Sequence, residues 1–233
     1  MKDRIAIEGS FWNGFSSKYD QFIKRTVGDS YQVLYKNLKN NLHKTDHVLE
    51  IATGTGLISF EICRSVNQIN AIDIAPNMIS QAKKKQKGTD LSNIEFEVGD
   101  SNNLQFSNNT FDKVIASNVL HLLIDPDIAL NEMKRVLKPG GLVILPTFCH
   151  GENLKSRLIS HLMSLFGFNA RNKWSSKRFA TFVQLHDFKV VKNEIIRSKI
   201  PLLYLVAQKS AINSRETRPI AHDIQTNDSN HCG

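Results

Sequence analysis

Cysteine is scarce in this chain, and the three that occur, Cys63, Cys149 and Cys232, are scattered and odd in number. That argues against a disulfide frame or a structural zinc site and fits free thiols in a reducing cytosol. Long apolar runs are missing as well. None approaches the roughly 18 residues of a membrane span, and the first ten residues hold no signal-peptide core, so the expected compartment is cytoplasmic. Six prolines and twelve glycines are too few for a low-complexity or collagen-like chain. Acidic residues are in the minority, 22 against 30 Lys and Arg, for a formal net charge of +8. This balance favours anionic partners such as phosphate groups, nucleic acid or an acidic membrane face, although many basic soluble proteins bind none of these. What remains is a chain of 233 residues, 41% hydrophobic, long enough to bury a full core.

From about Asp46 short β-branched apolar runs alternate with longer amphipathic ones, the pattern of a parallel sheet with crossover helices. The runs 47–52, 69–74, 94–99, 111–117 and 142–148 read as strands. Helices are expected over 57–66, 75–87, 126–138 and 177–187, with Asp125 as N-cap and Pro126 in the first turn of the third. Lys138-Pro139-Gly140-Gly141 stops that helix. The runs 188–199 and 201–210 follow each other without room for a crossover helix and should pair as an antiparallel hairpin. The expected fold is α/β, a Rossmann-like doubly wound sheet of seven strands, mostly parallel with this hairpin at its carboxyl end. Residues 1–45 form a helical cap, residues 46–210 the main domain with a substrate-capping insert at 150–186, and residues 211–233 a polar, aperiodic, disordered tail. In the cap, Val27, Tyr31, Leu34, Leu38 and Leu42 recur at helical spacing opposite Lys24, Arg25, Lys36, Lys39 and Lys44. Such a stripe lies on an anionic membrane or, more often, on the domain core.

The first strand runs into Ala52-Thr53-Gly54-Thr55-Gly56, and Leu57 opens a helix. Two glycines there allow positive φ and the close approach of a ligand. Asp73, 19 residues past Gly54, ends the second strand where a carboxylate can accept from both hydroxyls of a ribose. NAD would use the same geometry, but three details favour another nucleoside. Ser59 occupies the position where a dinucleotide fingerprint needs glycine or alanine. Glu50 is an acid inside an apolar strand and needs a donor, for which a ligand ammonium is one candidate. Gly99-Asp100-Ser101 places a second acid at the same sheet edge, suited to an adenine amino group.

With those segments quoted, the chain resembles the class I S-adenosylmethionine-dependent methyltransferases of the small-molecule type. The resemblance spans about Asp46 to Lys209. It is carried by Glu50-Ile51-Ala52-Thr53-Gly54-Thr55-Gly56, by Asp73-Ile74-Ala75-Pro76-Asn77-Met78, by Val98-Gly99-Asp100 and by the continuous stretch 111–145. It implies S-adenosylmethionine as cofactor and S-adenosylhomocysteine as product. It further implies contacts from Glu50, Ala52, Gly54, Gly56, Asp73, Ile74, Met78, Asp100, Ser101 and Asn118, with Tyr19 reaching in from "SSKYDQF". The family usually has glycine where this chain has Ala52, which serves if its φ stays negative.

Methyl transfer needs alignment, exclusion of water and, for some acceptors, removal of a proton. His121 after the fourth strand and His150 after the fifth both stand at the carboxyl edge, as base or substrate anchor; each could equally be a loop histidine. Cys149 reads as a buried thiol, and no metal is expected. Phe11, Trp12, Phe15, Phe166, Phe168 and Trp174 are candidates to roof an apolar acceptor pocket. The apolar face Leu154, Leu158, Leu162, Met163 and Phe166 and the basic cap helix leave lipid or quinone methylation with peripheral membrane contact open. RNA is the weaker alternative, because Ser117-Asn118-Val119-Leu120 replaces the Asn-Pro-Pro-Tyr type of motif used on base amino groups. A NAD-binding oxidoreductase and a cofactor binder without catalysis are the other readings.

Overall fold

Residues 48–51 alternate in side: Val48 packs with one apolar cluster and Leu49 and Ile51 with another. The same alternation separates Ile115 from Val114 and Ala116, and Ile144 from Val143 and Leu145. A strand with two apolar faces needs cover on both, which is the physical cause of a layered α/β architecture. The computed structural model describes residues 2–149, 170–197 and 201–210. The apolar face at 154–166, His150, Phe166, Phe168, much of the insert 150–186 and the tail 211–233 lie outside the described residues.

Two helices come first, α1 (Lys2–Phe15) and α2 (Tyr19–Lys39). There follow β1 (His47–Ile51), α3 (Leu57–Ile62), β2 (Gln68–Asp73), α4 (Pro76–Gln86) and β3 (Ile94–Val98). Then come β4 (Phe111–Ala116), α5 (Pro126–Val136), β5 (Leu137–Phe148), α6 (Ser176–Leu185), β6 (Phe188–Ile196) and β7 (Leu202–Lys209). The sheet order is β3-β2-β1-β4-β5-β7-β6. The five strands through β5 run parallel, and β7 lies antiparallel between β5 and β6. The seven-stranded, mostly parallel sheet and its carboxyl-terminal hairpin are as expected. Helices α2, α3 and α4 cover one face, and α5 and α6 the other. Among the described residues no helix is long and apolar enough to cross a membrane.

Three local features differ from what the sequence led one to expect. Asp125 caps α5 without a side-chain hydrogen bond; its carbonyl instead accepts from Ala129 N and from Asn102 Nδ2. Helix α5 ends at Val136, and β5 begins at once with Leu137 opposite Phe111. The register then shifts as Lys138 to Gly141 bulge, with Gly140 at φ 75°. Helix α3 stops at Ile62 and tightens into a 3-10 turn, Cys63–Ser65. The α2 stripe takes the more frequent of its two expected places, the domain core: Leu34 and Leu38 are fully buried and Tyr31 nearly so, which removes that face from any membrane. Asp112 is structural, accepting from His47 N at 2.9 Å and Lys138 Nζ at 2.7 Å.

Candidate active site

The strands β1, β2 and β4 end together at one edge of the sheet, beside the point where the chain reverses its winding from β3-β2-β1 to β4-β5. Loops that leave neighbouring strands on opposite sides open a crevice there. The crevice is a cavity of about 180 Å³, and α1 closes its outer side. From the sequence-predicted residues it collects Tyr19, Ala52, Gly54, Asp73, Ile74, Met78, Asn118 and His121 on one wall system. Phe11 and Trp12 join them.

The glycine turn is shaped by its own backbone. Gly54 has φ 58° and Gly56 φ 83°, and a side chain at Gly56 would come within 2.8 Å of the Phe96 ring. Ala52 also has φ 55°, so the expectation of a negative φ is corrected. The left-handed region costs a residue with a Cβ about 1–2 kcal/mol, and this chain carries that strain at the loop entrance. Asp73 holds the turn from behind: its carboxyl accepts from Gly54 N and Ala75 N, both at 2.8 Å. Burial pushes Asp73 up to about 6, against the lowering effect of those two N–H groups. Its oxygens keep acceptor capacity toward the cavity, as two vicinal hydroxyls require.

Glu50 does not reach the wall. It is buried beneath the turn and accepts from the hydroxyl of Ser59, while Thr53 stands within reach of the same serine at 3.3 Å. Burial lifts its pKa to about 7. The Ser59 hydroxyl thus supplies Glu50 with a donor from within the protein, and among the described residues Glu50 takes part in no ion pair. Asp100 is also engaged elsewhere. One oxygen pairs with Arg4 of α1 and the other accepts from Asn102 N at 2.9 Å, which leaves it off the cavity wall. Ser101 is buried and donates to Asn102 Oδ1 at 3.1 Å, and Gly56 lies behind the turn against Phe96 and Phe60.

Asn118 joins three parts of the site. It sits at φ 55°, its N–H donates to Pro146 O at 2.7 Å and its Oδ1 accepts from Phe148 N at 3.0 Å. Its amide nitrogen lies 3.4 Å from the hydroxyl of Tyr31, which in turn bonds Tyr19. Burial first, and then Tyr31, hold the Tyr19 phenol well above its ordinary value, so it stays protonated. Tyr31 is thus more than core filling, a role its place in the apolar stripe concealed.

Glu8, Ile7, Ile23, Ser117, Val119, Leu122, Leu123, Phe148 and Arg171 also line the wall and were not legible as site residues. Glu8 accepts from Ile124 N at 2.8 Å, and Arg4 of the same helix pairs with Asp100, so α1 is fastened over the crevice from two sides. Phe15 and Trp174 are off the wall; Trp174 stacks on Phe182 at 4.9 Å and belongs to the core under α6. Cys149 is buried, as expected. His121 is buried on the wall, and its carbonyl accepts from Asn172 N at 3.0 Å.

Residues 42–199 match the model of a family described as "Methyltransferase domain". Demethylmenaquinone methyltransferase of Staphylococcus epidermidis is 31% identical over 166 residues, covering 67% of this chain and 68% of that protein. The ubiquinone/menaquinone biosynthesis C-methyltransferase UbiE of Francisella tularensis is 37% identical over 115 residues, 47% of this chain and 46% of its own. In fold, the chain is similar to a SAM-dependent methyltransferase from Aquifex aeolicus, with a TM-score of 0.66 at 20% identity. That likeness covers 84% of this chain and 98% of the other.

Proposed function

The chain belongs to the methyltransferase-domain family and is an S-adenosylmethionine-dependent methyltransferase of small molecules, and from that premise we propose which residues do the work and what kind of acceptor they serve. The observation that carries the proposal is the single wall joining Gly54, Asp73, Met78 and Asn118 to a set of apolar side chains. The cofactor fits what the turn offers: an open backbone at Gly54, a buried carboxyl with acceptor capacity for ribose, and apolar cover from Ile74 and Met78 for adenine. Tyr19 and Asn118 then flank the methionine end. When bound, S-adenosylmethionine supplies a methyl group already activated on a sulfonium.

The remaining work of the protein is alignment and dryness. Helix α1 excludes water on the outer side, with Phe11 and Trp12 turned to the cavity. Val119, Leu122, Leu123 and Phe148 give the acceptor an apolar bed, and we assign His121 to the same side as its polar anchor. An apolar bed of this kind suits a lipid-like acceptor, and the two quinone-methylating relatives favour the quinone class. We place the reaction in the cytoplasm.

The test has two parts. Titration with S-adenosylhomocysteine should give micromolar binding, and NADH none. Asp73→Ala and Gly54→Arg should each lose that binding while far-UV dichroism stays native; retained affinity in a folded variant would sink the site assignment. Incubation with labelled cofactor and demethylated quinones should then give a methylated product. Label appearing in RNA and not in quinones would overturn the acceptor class.

A further inference from the structure

Exposed aliphatic side chains and unengaged cations meet at the mouth of the cavity. Ile7, Ile124 and Ile128 are 55%, 39% and 49% exposed. Ile7 is itself on the wall, and Ile124 follows Leu122 and Leu123, which are as well. The Glu8 carboxylate draws the two segments together through the Ile124 N–H, and Ile128 stands on the first turn of α5, four residues on. Alongside runs the stretch 171–178, in which Arg171, Lys173, Lys177 and Arg178 are exposed and no acid occurs. Asn172 fixes this stretch to the cavity loop, through N–H to His121 O at 3.0 Å and Nδ2 to Leu123 O at 3.4 Å.

Among the described residues none of these four cations takes part in an ion pair. The nearby acids do not neutralise them. Glu8 is committed to Arg4 and Ile124 N, Asp127 faces His186 at 3.3 Å, and Asp125 is half-buried. One exposed isoleucine is ordinary, but three around a cavity mouth beside four free cations form an amphipathic rim. An aliphatic and cationic rim matches an anionic bilayer, whose acyl boundary takes the isoleucines while its headgroups take the lysines and arginines. Single-stranded nucleic acid would ask for exposed aromatic platforms between the cations, and the aromatic of this stretch, Trp174, is stacked on Phe182 and packed at a tilt against Phe179.

We propose that Ile7, Ile124, Ile128 and the cations of 171–178 dock the protein on an anionic lipid bilayer, so that the acceptor enters the cavity from the membrane. The second half of this statement rests on the lipid-like acceptor proposed above; the docking itself does not. The experiment is flotation of the full chain with vesicles of phosphatidylcholine containing phosphatidylglycerol, and with phosphatidylcholine alone. Two double variants go with it, K173E with R178E and I124D with I128D, none of them on the cavity wall. Binding to the anionic vesicles should exceed that to neutral ones and should fall roughly tenfold or more in each variant. Affinity for S-adenosylhomocysteine should be unchanged in both. No partition of the wild type, or partition that survives both pairs of substitutions, overturns the docking face. Tighter binding of the wild type to single-stranded RNA than to anionic vesicles overturns it too. Docking without methylation of any quinone would leave this face standing and remove the acceptor class alone.

Discussion

Strain and buried charge at single residues set what the glycine turn can tolerate. Ala52 occupies the left-handed region at φ 55°, where its Cβ is penalised by about 1–2 kcal/mol. Glycine removes that penalty but loses more entropy on folding, about 0.4–1 kcal/mol. The difference favours Ala52→Gly by a few tenths to about 1 kcal/mol, seen as a higher urea midpoint at unchanged slope. Glu50 makes a pH-dependent prediction. Its ordinary value of 4.5 rises to about 7 in the folded protein because it is buried. Between those pH values the folded state holds a proton that the unfolded state has released. Stability therefore falls as pH rises from 4.5 to 7 and then levels off, by on the order of 3 kcal/mol. Asp73, raised from 3.8 to about 6, adds a decline of the same sign at lower pH. Glu50→Gln should remove the upper part of this decline in urea unfolding followed across the range, and an unchanged pH profile would refute the assignment.

Among the elements, α1 has the most to do and the fewest means of doing it. It packs on α4 and is fastened by Arg4 to Asp100, by Glu8 to Ile124 and by Asn13 to Asn77. Arg4 serves two of these ties at once, because it also pairs with Glu8. Arg4→Ala should accelerate amide hydrogen exchange in α1 and in residues 100–103 by roughly tenfold, leaving β1 and β4 unaffected. Equal acceleration in the sheet would mean that Arg4 stabilises the whole fold and not the cover. Helix α2, by contrast, is bound by its buried stripe, and its polar side reaches the turn through Asp20, which accepts from Thr55 and from Lys85 at 2.9 Å.

The molecule as a whole couples cofactor binding to folding, because the wall draws on α1, α2 and the ends of β1, β2, β4 and β5. A ligand that binds only this assembled wall stabilises the native state by mass action. S-adenosylhomocysteine at a hundredfold excess over its Kd should add about 2.7 kcal/mol, read as a rise in Tm, and NADH should add nothing. A rise with NADH alone would return the crevice to the dinucleotide class.

The periodicity of apolar residues was enough to find every described strand and helix of the main domain, though not the early start of β5 at Leu137, because side-chain direction repeats locally with each kind of backbone. The glycine turn, Asp73 and the antiparallel ending were legible for the same reason: φ, loop length and strand spacing are properties of neighbours in the chain. Contacts across the chain were not. Asp100 meets Arg4 from 96 residues away, and nothing near either residue announces the other. Glu50 meets Ser59, nine positions on, because a helix turns that hydroxyl back beneath the loop. Tyr31 and Asn118 meet 87 residues apart where α2 crosses the end of β4. The sequence by itself determined the sheet, its order of motifs and the family. Tertiary structure alone decided which polar groups face the cavity, since a buried polar group takes the partner that packing brings within hydrogen-bond reach.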